Sequence, residues 1–292
     1  MRWKGGRANS NIEDRRGMKT KAAAGGGIGA IVIALIAIFV FKQPPDKAMQ
    51  MGSQLSSQFG GAGSSEQQQG ERGTPEDRAG LFVDVIGTNV NEVWAREMRG
   101  YEKPLTVLYT QGTNTGCGFG KAAMGPFYCP ADNTIYLDLG FWQVMEDQLG
   151  ASGADFARAY VIAHEFGHHV QTLEGTSAKV HQIRRSAGGS PKANQYQVAM
   201  ELQADCYAGV WAANAEDVSG GNIFIEAGDL REGLKTASAI GDDTLQKRAG
   251  QRVSPESFTH GSSEQRMEWL NRGFEAGNPS ACDTFRALGL TL

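Results

Sequence analysis

The stretch from Ala159 to Gln171 constrains this chain more than any other. It contains His164-Glu165-Phe166-Gly167-His168 on a run whose apolar residues, among them Val161, Ile162 and Val170, suit a buried helix. Residues four apart lie one above the other on a helix, so the imidazoles of His164 and His168 can reach one ion. Glu165, one step round, can reach a water on that ion without binding the ion itself. Two histidines and a carboxylate base in this order are the signature of a hydrolytic zinc site. A buried histidine is more often an ordinary core residue, and it is the apolar helical flanks that favour the metal. Gly167 costs about 1 kcal/mol relative to alanine inside a helix. Its presence predicts the close approach of another backbone or of a substrate.

Two histidines do not complete a site. A catalytic zinc takes three protein ligands and keeps one position open. Between Val198 and Gly209 the pattern is again helical, and Glu201 and Asp205, four apart, share a face. With Glu201 as third ligand, Asp205 is placed to accept the second ring N–H of a ligating histidine, which fixes its tautomer and raises its basicity. Ala199, Met200, Leu202, Ala204 and Ala208 around the pair argue against two solvated carboxylates.

The two motifs, H-E-F-G-H-H and then E-L-Q-A-D-C, resemble the bacterial family of neutral zinc metallopeptidases, and more broadly the gluzincin peptidases, from about Gly73 to the C-terminus. The resemblance implies an α+β, zincin-like fold. It implies one Zn2+ per chain on His164, His168 and Glu201, Glu165 as general base, and Asp205 behind a ligand. It also implies a histidine or tyrosine that steadies a developing oxyanion. His260, just ahead of a helix start that Ser262 and Gln265 would cap, is the candidate, and Arg266 is the other.

Residues 1–21 carry a net charge of +5, and residues 22–41 carry none. About 20 apolar residues can span a bilayer, and basic charge ahead of them favours a cytoplasmic N-terminus. A cleaved signal peptide is the rival reading, but Lys42-Gln43-Pro44-Pro45 offers no small-residue cleavage site. The expected organisation is a cytoplasmic tail over 1–21, a single transmembrane anchor over 22–41 and a flexible linker over 42–73. A metallopeptidase domain over 74–292 would then lie outside a bacterial cytoplasmic membrane. Four cysteines, all beyond the apolar run, fit an oxidising compartment. Of three possible pairings, the expected one joins Cys117 to Cys129 within a loop and Cys206 to Cys282 across the domain.

Within the domain, Thr74 suits an N-cap and Pro75 the first helical position, followed by a core-facing stripe from Leu81 to Met98. Leu105–Tyr109 and Thr134–Leu139 read as strands. The second, holding Tyr136, is the expected sheet edge for an extended substrate. Residues 175–192, polar and between the two metal-bearing helices, read as a surface loop, with a lid as the alternative. His169 points away from its neighbour's ion and reads as structural.

A net charge of −4 overall leaves −9 after residue 21, which excludes a nucleic-acid binder. The sequence points to a membrane-anchored zinc endopeptidase that hydrolyses peptide bonds of a peptide or protein substrate with a metal-activated water and meets lipid only through its N-terminal helix. A weakly catalytic zinc-containing assembly protein is disfavoured by the presence of Glu165, since a structural metal needs no base. A hydrolase of cell-wall amides is disfavoured because no wall-binding module is visible. A prenyl-protein protease would need several membrane spans.

Overall fold

A computed structural model of the chain describes residues 1–18, 69–188 and 190–292. It is a mixed α+β structure. A five-stranded sheet is built from β1 (Ile12–Asp14), β2 (Glu71–Arg72), β3 (Leu105–Tyr109), β6 (Phe127–Cys129) and β7 (Thr134–Asp138), in the order β2-β1-β3-β7-β6. The strands β1, β3 and β7 run parallel, and β2 and β6 close the two edges antiparallel. Between β3 and β6 a hairpin of β4 (Gly112–Thr115) and β5 (Gly118–Lys121) stands apart. The helices are α1 (Arg78–Glu97), α2 (Phe141–Asp147), α3 (Asp155–Leu173), α4 (Thr176–Ser186), α5 (Pro191–Val218), α6 (Ala227–Ala239), α7 (Asp242–Arg248), α8 (Ser263–Ala276) and α9 (Thr284–Ala287).

The N-terminus departs from expectation. Residues 1–18 are not a separate tail but part of the folded body. Trp3 and Ile12 are buried, and the Trp3 ring N–H donates to Asp155 at the start of α3 over 2.8 Å. Ile12, Glu13 and Asp14 register with Thr106, Val107 and Leu108 of β3. The physical reason is that much of the basic charge is taken up locally. Arg15 pairs with buried Glu13, Arg16 with Asp14 and Asp77, and Arg7 with Glu92. Positive charge that reads as a topology signal in one dimension closes ion pairs in three. Among the described residues no helix is long and apolar enough to cross a membrane. The run 22–41 lies outside them, as does the linker up to residue 68.

The helix after the linker begins three residues later than expected, because Asp77 and not Thr74 caps it, accepting from the backbone of Ala79 and Gly80. The expected edge strand is also displaced. The strand β7, with Tyr136, is internal, and β6 forms the edge beside it. The polar segment after residue 175 is the helix α4, not a loop.

α3 and α5 carry the two motifs and pack directly together. Gly167 permits this, since a Cβ there would lie 3.0 Å from the Cα of Ala204. α5 and α8 meet more closely still. A Cβ on Gly273 would lie 1.9 Å from the Cys206 carbonyl oxygen. Both expected disulfides are present, Cys117–Cys129 and Cys206–Cys282, with Cα separations of 5.8 and 5.6 Å. The second ties α5 to the C-terminal segment 76 residues away.

Candidate metal centre

α3 presents His164 and His168 on one face, and α5 presents Glu201 opposite them. Oε2 of Glu201 lies 3.3 Å from Nε2 of His164 and 3.4 Å from Nε2 of His168. Ligand atoms about 2.0–2.1 Å from a tetrahedral zinc stand about 3.3–3.4 Å apart, so both separations match the edges of such a tetrahedron. Two imidazoles and a carboxylate are also a donor set that zinc accepts. Among the described residues these three form the group able to hold a metal ion.

The opposite ring nitrogens are engaged, which directs the Nε2 lone pairs to the common point. Nδ1 of His164 lies 2.8 Å from Oδ1 of Asp205. Nδ1 of His168 lies 3.0 Å from Oε1 of Gln171. The Gln171 amide cannot turn round, because its Nε2 donates to the Met200 carbonyl at 2.7 Å and to Oε1 of Gln203 at 3.0 Å. A carbonyl oxygen is thereby fixed against His168, and the histidine must donate to it. Gln171 went unread in the sequence. Its one signal is its place three residues past His168, on the same helical face.

Asp205 is fully buried and accepts from several donors at once. Tyr160 donates its hydroxyl to Oδ1 over 2.6 Å, and Arg266 donates to both oxygens over 2.8 and 2.9 Å. Burial alone would raise the Asp205 pKa, but Arg266 and His164 hold it well below the usual carboxylate range. Arg266 thus grips the carboxylate behind His164, and the residue also lines the cleft onto which the site opens. Burial opposes a charge on His168, yet Glu201 beside it carries the metal-free imidazole up to about 9. Glu201 in turn is held well below 4.5, burial being outweighed by the two histidines.

The three candidate ligand residues open onto a cleft of about 960 Å³, and Glu165 and His260 line the same cleft. The loop carrying His260 is gathered by one buried carboxylate. Oδ2 of Asp242 accepts the backbone N–H of Thr259, His260 and Gly261 at 2.7, 2.6 and 3.0 Å. Its Oδ1 stands 3.4 Å from Nδ1 of His260. Burial disfavours charge on that ring, but Asp242 and Glu201 raise its pKa above the ordinary value. The capping box of Ser262 and Gln265 is formed as expected. His169 donates Nε2–H to the Glu102 carbonyl at 2.6 Å and packs away from the ion position.

Comparison with known proteins agrees with this geometry. The family described as "Putative neutral zinc metallopeptidase" matches residues 1–285. The uncharacterized protein YpfJ of Escherichia coli (strain K12) is 42% identical over 297 residues, covering 98% of this chain and 99% of that protein. The uncharacterized protein Rv2575 of Mycobacterium tuberculosis (strain H37Rv) is 44% identical over 214 residues, 71% of each chain. No solved structure gives a significant match.

Proposed function

The chain belongs to the neutral zinc metallopeptidase family, and from that membership we propose that it is a zinc-dependent endopeptidase in which Glu165 is the general base. The observation that carries the reading is the convergence of His164 Nε2, His168 Nε2 and Glu201 Oε2 at tetrahedral separations on the cleft that Glu165 lines. Zinc held there supplies a Lewis acid for the scissile carbonyl and lowers the pKa of a water toward about 7. Glu165 takes the proton of the attacking water and hands it to the leaving nitrogen. Asp205 and Gln171 keep both imidazoles in the tautomer that leaves Nε2 bare. His260, steadied by Asp242, donates to the oxygen on which negative charge develops. An extended peptide pairs with the backbone of β6, the sheet edge on the cleft wall.

The two disulfides favour an oxidising compartment, and we place the enzyme at the outer face of a bacterial cytoplasmic membrane, with residues 22–41 as its lipid contact. The strand β1 is built into the sheet, so the N-terminus belongs on the same side as the cleft, not across the bilayer from it. The test of the activity is digestion of a mixed peptide library by the full chain. Cleavage that a chelator abolishes and added zinc restores is expected. Zinc-loaded protein that cuts no peptide would overturn the reading.

A further inference from the structure

We infer that Gln197 and Arg184 fix the binding mode of Glu201, holding one of its oxygens away from the metal so that a coordination position stays open. The inference rests on the metal reading above. Oε2 of Glu201 faces both histidines, whereas Oε1 accepts a hydrogen bond from Nε2 of Gln197 over 2.6 Å. The orientation of that amide is dictated from its other end. Nη1 of Arg184 donates to Oε1 of Gln197 over 2.6 Å. A guanidinium has donors only, so it can meet the amide only through the amide oxygen. The amide nitrogen is then turned toward Glu201. The chain of donation runs one way, from Arg184 through Gln197 to the oxygen that is not needed by the metal.

The chemistry of the site gives this arrangement its purpose. Glu201 is buried, 6% exposed, and a buried carboxylate oxygen without a donor is costly. Left without Gln197, Oε1 would find its nearest positive partner in the metal itself. A carboxylate bound through both oxygens would crowd the position that water and substrate must share, whereas one bound through Oε2 alone leaves it open. Gln197 lies one turn before Glu201 on α5, and Arg184 reaches across from α4. The segment between the two metal-bearing helices is therefore a support of the metal site and not merely a connection. Gln197 and Arg184 are positioning residues, because each acts through another side chain, Arg184 on Gln197 and Gln197 on Glu201.

The test uses the full chain with Gln197→Leu, Arg184→Ala and the double variant. Zinc affinity is read by chelator competition. The visible absorption of the cobalt(II)-substituted protein reports the number of ligand atoms. Gln197→Leu is expected to weaken zinc by about 10–100-fold and to shift the cobalt bands. Arg184→Ala should move both in the same direction by less, and the double variant should match Gln197→Leu, since Arg184 acts through Gln197. Wild-type affinity and cobalt bands in a folded Gln197→Leu protein would overturn the inference, and so would additive losses in the double variant. Should Gln197→Leu fail to fold, unchanged cobalt bands in Arg184→Ala would overturn it. Failure of the wild-type chain to take up either metal would instead remove the metal reading on which it stands.

Discussion

Oδ1 of Asp205 lies 2.8 Å from Nδ1 of His164, and the same carboxylate is clamped by Arg266 through both oxygens. The relationship separates a residue that orients a ligand from a residue that is one. Asp205→Asn should weaken zinc by about 10–100-fold, or about 1.4–2.7 kcal/mol, while Glu201→Ala should empty the site. Chelator competition on both variants checks this, and equal loss would make Asp205 a ligand. Both Asp205→Asn and Asp205→Ala leave the buried Arg266 charge unpaired, at about 3–5 kcal/mol of stability, but Asp205→Asn keeps an oxygen acceptor and the side-chain volume, so thermal unfolding is read beside the zinc titration.

Glu165→Gln retains shape and leaves the three ligand atoms in place, so only proton transfer is lost. Zinc content measured by elemental analysis should stay at one equivalent. Peptide hydrolysis should fall by about 10²–10⁴-fold. Near wild-type turnover in this variant would mean that another group is the base.

His260 should write the alkaline limb of the pH–rate profile. Burial works against its charge, but Asp242 and Glu201 raise its pKa above the ordinary 6.5. The charged form is the one able to donate to an oxyanion, so kcat should fall as pH rises through the raised value. The stabilising contribution has the same sign: full below the unfolded-state pKa, lost on passing above the folded one. Asp242→Asn should bring the limb to lower pH, and His260→Gln should lower the rate and remove it. A limb that stays in place in both variants would rule His260 out.

Gly273→Ala tests the contact between α5 and α8. The added Cβ would need to occupy space 1.9 Å from the Cys206 carbonyl oxygen, so the helices must part. Overpacking of this kind typically costs about 1–3 kcal/mol, occasionally more. Thermal unfolding of the oxidised protein should show a clearly lowered Tm, and an unchanged Tm would contradict the packing.

The placement of β1 predicts the sidedness of the N-terminus. Lys4 and Lys103 are both exposed on the folded body. Cysteines introduced singly at these positions should react alike with a membrane-impermeant maleimide applied to intact spheroplasts. Labelling at 103 with protection at 4 is the outcome expected of a single-pass anchor, and it would show that β1 is not in the sheet in the cell.

The grouping of His164, His168 and Glu201 was legible because ligand chemistry demands particular residue types and helix geometry demands a spacing of four. Both demands are written in one dimension. The capping box at Ser262 was legible from its own short spacing, whereas the cysteines left three pairings open and only the fold selects the two present. Gln171, Gln197 and Asp242 were not legible. Gln171 and Gln197 stand one helical turn from the residues they serve, but a glutamine at that spacing is too common to mark a role, and Asp242 meets the His260 loop only through folding. The grip of Arg266 on Asp205 was hidden in the same way, because a lone arginine has no sequence mark of the carboxylate it will meet. β1 was hidden for a further reason. Three residues flanked by arginines look like a charged tail until Glu13, Asp14 and Asp77 are seen to answer the charge.

The antiparallel pairing of β1 with β2 holds the chain on both sides of residues 19–68 in one sheet, which sets it apart from a leash fixed at one end. A leash is released by one cut. A protease that cut once among residues 42–68 would sever the peptide chain, yet the N-terminal piece would stay docked through β1, Trp3 and the ion pair between the Met1 amino group and Asp229. Shedding of the catalytic body from whatever residues 22–41 hold would require the sheet to open as well as the chain to break.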